Sequence, residues 1–76
     1  MVNYRIEYGP YASRALELKT PERQQEIKAA IQRWAQVPPV DPTKRAKYRI
    51  TIPGGTVTCR VEPDTLVYVI TVLSID

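Results

Sequence analysis

Lys44-Arg45-Ala46-Lys47-Tyr48-Arg49-Ile50-Thr51-Ile52, then Pro53-Gly54-Gly55, then Thr56-Val57-Thr58-Cys59-Arg60-Val61, reads as a β-hairpin. In the first arm Tyr48, Ile50 and Ile52 alternate with Lys47, Arg49 and Thr51, the period of two expected when one face of a strand meets a core. Pro53-Gly54-Gly55 is turn chemistry, because glycine takes positive φ without a Cβ clash. The second arm resumes the alternation, with Val57, Cys59 and Val61 against Thr56, Thr58 and Arg60. A further turn at Glu62-Pro63-Asp64 leads into Leu66-Val67-Tyr68-Val69-Ile70-Thr71-Val72-Leu73. That run is almost continuously apolar, which predicts a central strand covered on both faces.

Outward from the hairpin, the N-terminal half supplies one more strand and two helices. Val2, Tyr4, Ile6 and Tyr8 alternate with Asn3, Arg5 and Glu7, a half-buried strand that ends at Gly9-Pro10. Pro10 suits the first position of a short helix over Tyr11 to Lys19, with Ala12, Ala15 and Leu16 inward. Thr20-Pro21-Glu22 starts a second helix: a capping hydroxyl, a proline where no amide is needed, and a carboxylate near the positive end of the dipole. Ile27, Ala30, Ile31, Trp34 and Val37 form its apolar stripe, with Trp34 read as core. Pro38-Pro39 stops it, and Val40-Asp41-Pro42-Thr43 is a stiff connector. The expected class is α+β: a four-stranded, mainly antiparallel sheet with an N-terminal helical hairpin packed on one face, in the order β-α-α-β-β-β.

The totals are consistent with one domain over residues 1–76, whose core is small enough for a partner or a homodimer contact to matter to stability. At 43% hydrophobic and 25% charged, the composition is that of a folded chain. No run is long and apolar enough for a membrane span, and Met1 to Tyr8 lacks the apolar centre of a signal peptide, so a cytoplasmic location is expected. The lone cysteine, Cys59, falls on the inward side of its strand and reads as a small buried hydrophobe. With no histidine, Ser-His-Asp and Cys-His nucleophile pairs are excluded, as is a histidine metal site. Asp41, Asp64 and Asp76 are scattered, so neither a metal site nor a cofactor is expected.

What stands out is charge placement. The segment from Lys44 to Arg60 holds five basic residues (Lys44, Arg45, Lys47, Arg49 and Arg60) and no acidic one, which predicts a positive field on one face or edge of the sheet. Arg49, Thr51, Thr56, Thr58 and Arg60 are candidates for the open face, with Arg5 and Glu7 beside them. Lysine and arginine neutralise phosphates and tyrosine stacks on unpaired bases, so Lys44, Arg45, Tyr48 and Tyr68 are candidate contacts to single-stranded RNA. Two plainer readings stand beside this one: the lysines as a solvated edge that discourages strand pairing, and Tyr48 and Tyr68 as core.

Tyr4-Arg5-Ile6-Glu7-Tyr8, then Pro10, Ala12 and Ala15-Leu16, then Pro21 with Ile27 and Ile31, then Tyr48-Arg49-Ile50, a glycine turn and a last apolar strand, together resemble the RelE/ParE superfamily of bacterial toxins from type II toxin-antitoxin systems. The resemblance implies a cognate antitoxin as partner, laid over the toxin as an extended or helical segment. It also implies either metal-independent cleavage of mRNA on the ribosome, by basic residues and often a tyrosine on the open sheet face, or inhibition of DNA gyrase. Carried onto this chain, Arg49 takes the basic position at the start of the second strand, and Lys44, Arg45 and Lys47 the basic segment before it. Arg49, Lys47 and Arg60 are the candidate catalytic residues: arginine stabilises charge on a phosphorane-like transition state, and lysine or tyrosine can move a proton. The chain departs from the family where an arginine commonly opens the third strand, since it reads Thr56-Val57-Thr58-Cys59 there, and Arg60 has no matched catalytic position. A catalytically inactive interaction module, and a basic nucleic-acid-binding protein without chemistry, therefore stand as alternatives.

Overall fold

A computed structural model describes residues 4–36, 44–65 and 67–76. Its organising unit is the expected hairpin: β2 (Ala46–Ile52) and β3 (Gly55–Pro63) pair antiparallel from Ala46 opposite Val61 to Ile52 opposite Gly55. Gly54 makes the turn with φ of +80°, a conformation that side chains with a Cβ adopt at a cost. The turn is pinned from outside, because the Arg23 guanidinium donates a hydrogen bond to the Pro53 carbonyl. Gly55 is required for a different reason: a Cβ there would collide with the carbonyl oxygen of Asp76. That contact closes the end of the sheet, where the Asp76 amide donates to Thr56 O at 2.8 Å.

The remaining elements are β1 (Tyr4–Tyr8), α1 (Pro10–Glu17), α2 (Pro21–Gln36) and β4 (Tyr68–Ile75), and the strand order is β1-β4-β3-β2. Neighbours are antiparallel except β1 and β4, which run parallel, so the sheet is mixed and mainly antiparallel, with β4 inside it. Local chemistry explains the helix starts. Pro10 occupies the first turn of α1 directly after Gly9. Thr20 caps α2, its Oγ1 accepting from the Arg23 amide at 3.2 Å. Helix α1 stops at Glu17, two residues short of the expected Lys19, where the Lys19 amide bonds back to Leu16 O at 3.0 Å. The expectations for Val2, Asn3, Val37, the prolines at 38 and 39, the connector 40–43 and Leu66 lie outside the described residues.

Among the described residues, all of the cover lies on one side. Helix α1 lies against β4 and α2 against β2. Ala12 and Leu16 from α1, and Ile27, Ile31 and Ala35 from α2, are buried against Ile50, Ile52, Val57, Cys59, Val61, Ile70, Val72 and Ile75 of the sheet. Fully burying a side chain such as Ile31 or Ile70 contributes about 1.5–3 kcal/mol each. Ala35 belongs to this core by its spacing from Ile31, while Trp34 sits half-buried at the margin, its ring centroid 5.8 Å from that of Tyr48.

Two sequence expectations for the last strand are corrected. The strand spans Tyr68–Ile75 rather than 66–73, and it is covered on one face only: Tyr68, Ile70, Val72 and Ile75 are buried, whereas Val69, Thr71 and Leu73 are half-buried on the other side. The interior position of β4 between β1 and β3 shields those side chains from the flanks. A register shift between Thr58 and Cys59 places their partners at Ser74 and Val72, leaving Leu73 as an extra residue. Because of that bulge Ile75 returns to the core side.

Tyr68 ties the layers together. Its hydroxyl donates to Ala35 O at 2.6 Å, satisfying a carbonyl in the last turn of α2 that has no helical partner. Tyr68→Phe leaves that buried carbonyl unpaired, and urea unfolding is expected to show a loss of about 1–3 kcal/mol; an unchanged midpoint contradicts this role.

Candidate nucleic-acid interface on the open sheet face

Strand alternation carries the basic residues to the face opposite the helices. Lys47 lies across from Arg60, Arg49 across from Thr58, and Thr51 across from Thr56. On the far side Arg60 meets Thr71 and Glu62 meets Val69, and these in turn meet Glu7 and Arg5 of β1. The three candidate catalytic residues are thus brought together: Lys47 and Arg60 as direct cross-strand neighbours, Arg49 one pleat further along β2. Lys47 and Arg49 are exposed and Arg60 is half-buried. Lys44 is exposed in the approach to β2, and Arg45 continues the same face one pair before Lys47.

Glu62 is a member of this site that the sequence reading did not single out. Its carboxylate lies 2.8 Å from Arg45 Nη2 and 2.6 Å from Arg60 Nε, so it bridges two of the basic residues. Its signal was available, since it follows Arg60 by two residues and so shares its face. Near β1, Arg5 pairs with Glu7 at 3.1 Å and with Asp64 at 3.5 Å. The positive field is therefore concentrated on β2 and the middle of β3, and the β1 side, with Arg5 against both Glu7 and Asp64, carries a slight negative excess.

The tyrosines do not join it. Tyr68 is 2% exposed and lies under the helices, with burial and then the neighbouring Tyr4 raising its pKa. Tyr4 packs against it with the rings tilted by 40° and centroids 5.9 Å apart. Tyr48 alternates with Lys47 and Arg49, so it points to the helix side and packs on Trp34. The candidate RNA contacts at Tyr48 and Tyr68 are corrected accordingly: strand parity sets both rings opposite the basic face. Tyr8 lies under Lys28, whose Nζ is 6.0 Å from the ring centroid, and burial raises its pKa as well. Tyr11 is exposed on α1. All five tyrosines are among the described residues, and none is on the open face.

Among the described residues, no group of three or more Cys, Asp or Glu side chains could hold a metal ion, and no helix is long and apolar enough to cross a membrane. Comparison with protein-family models, with curated proteins and with solved structures finds no match. The resemblance to the RelE/ParE toxins thus rests on the residue pattern quoted above.

Cys59 is fully buried beside this face, on the opposite side of β3, and burial raises its thiol from 9.0 to about 11. The folded protein therefore favours the neutral thiol. Stability that is fully present below pH 9.0 should fall as the pH rises towards about 11, because the unfolded chain ionises first. Thermal melts over that window are expected to show a steeper alkaline decline for the wild type than for Cys59→Ala. Equal slopes contradict the assignment.

Proposed function

We propose that this chain is the toxin-like component of a toxin-antitoxin pair, acting on RNA through the open face of its sheet. The observation that carries the reading is the juxtaposition of Lys47, Arg49 and Arg60 on adjacent positions of β2 and β3, on a face that the helices leave uncovered. A phosphodiester laid across this face meets a guanidinium on each strand and, on β2 directly across from Arg60, the ammonium of Lys47. In cleavage by the adjacent 2′-hydroxyl, that hydroxyl loses its proton as its oxygen attacks phosphorus, and the 5′-oxygen leaves and takes up a proton. The extra negative charge on the phosphoryl oxygens is what Arg49 and Arg60 stabilise. With every tyrosine turned away, Lys47 is the residue of the candidate trio suited to proton transfer. The reaction so written needs neither metal nor cofactor, and its setting is mRNA on the ribosome, held in check by the antitoxin.

A second reading has its own support. Glu62 compensates Arg45 and Arg60, and no tyrosine lines the face, features that suit a catalytically inactive member that only binds its partner protein.

Controlled induction of the chain alone in a bacterium, beside Arg49→Ala, separates the two. Growth arrest by the wild type is expected, with ribosome-dependent RNA cleavage reduced about 100-fold or more in the variant, the size typical for loss of a transition-state charge stabiliser. Harmless induction of folded, soluble wild type contradicts the toxin reading and favours the interaction module.

A further inference from the structure

Arg45, Arg60 and Glu62 form an arrangement that an RNA-binding face would not build by charge accumulation alone. Two guanidiniums, one from the residue just before β2 and one from β3, converge on the two oxygens of one carboxylate, Arg45 Nη2 on Oε2 at 2.8 Å and Arg60 Nε on Oε1 at 2.6 Å. A phosphodiester presents the same features to the same donors: two terminal oxygens on one centre, sharing one negative charge. Exchanging one for the other leaves the charge balance of the two arginines unchanged.

The pairing is also incomplete. Arg60 Nε is shielded from solvent and, though close to Glu62, makes no aligned hydrogen bond. A buried donor left in that state is an energetic deficit that a better-placed acceptor relieves. Arg45 has room to follow such an acceptor, since its side chain is 74% exposed and, among the described residues, its ion-pair partner is Glu62. The other carboxylates on this face, Glu7 with Asp64 nearby, are engaged by Arg5 at the β1 side. Lys47, opposite Arg60, adds a third cation within reach of an anion placed between the strands.

We propose that Glu62 is a built-in competitor for the ligand, its carboxylate holding the place that one backbone phosphate of single-stranded RNA takes between Arg45 and Arg60. This rests on the reading of the open face as an RNA surface and adds to it a specific phosphate subsite. The carboxylate keeps the two arginines ordered in the free protein and sets a threshold that isolated anions do not pass. A strand that also reaches Lys47 and Arg49 displaces it.

The test is fluorescence anisotropy of a short labelled oligouridylate across a salt series, with wild type, Glu62→Gln, Glu62→Ala and Lys47→Ala, each checked by thermal melting. Both Glu62 variants are expected to bind roughly three- to tenfold tighter than wild type, the size of losing one or two surface ion pairs as competitors. Their log-log salt slopes should stay close to that of the wild type, because once Glu62 is displaced each protein contacts the same phosphates. Lys47→Ala should weaken binding. If the Glu62 variants bind equally or more weakly while Lys47→Ala still loses affinity, Glu62 is no competitor and the inference is overturned, with the RNA surface left standing. If neither wild type nor the Glu62 variants bind at low salt, the RNA surface itself is wrong, and the inference falls with it.

Discussion

The register of β3 against its two neighbours fixes the rest of the molecule. With Cys59 opposite Tyr48 and Val72, and Val57 opposite Ile50 and Ile75, every strongly apolar side chain of the hairpin falls beneath the helices. A slip of one residue would exchange the faces, burying Lys47, Arg49 and Arg60 and exposing Val57, Cys59 and Val61. Burying three cations without partners is far more costly than exposing three apolar side chains, so the alternative register is suppressed by charge as well as by lost burial. The tight turn at Gly54, the Arg23 contact to Pro53 and the Thr56–Asp76 pairing hold the same register from the hairpin end.

Face selection and surface charge are therefore one constraint seen from two sides. The two helices supply enough apolar surface to cover one face of the sheet and no more. The opposite face must be polar to be stable in water, and on β2 and β3 this chain fills it with lysine, arginine and threonine. Glu62 moderates the self-repulsion that results, linking Arg45 and Arg60 across the strands. The basic surface is thus rigid where β2, β3 and β4 pair and adjustable where long side chains leave the sheet, a combination suited to an extended, flexible polyanion.

Most of the scaffold was legible because its periods are clean. Alternation in β1, β2 and β3, the proline and threonine at the helix starts, and the spacing of Ile27 and Ile31 each have a direct local cause. What escaped was non-local. The bulge at Leu73 depends on how β4 pairs with β3, so a continuous apolar run read as two-sided cover when one layer suffices. Tyr48 and Tyr68 were open to two readings, base stacking by residue type and core by strand alternation, and the structure places both on the core side. Glu62 lies just past the basic segment in sequence and between two of its arginines in space. Only the register joins it to Arg45.

In the function proposed above, RNA meets the protein at the open face of the sheet. Amide chemical-shift mapping of the labelled protein during titration with a single-stranded oligoribonucleotide at low salt addresses this directly. Progressive, saturable shifts at Lys47, Arg49, Thr58, Arg60 and the adjoining Thr71, with the outer surfaces of α1 and α2 unmoved, are the predicted result. Shifts confined to the helical side, or none at any concentration, would contradict it.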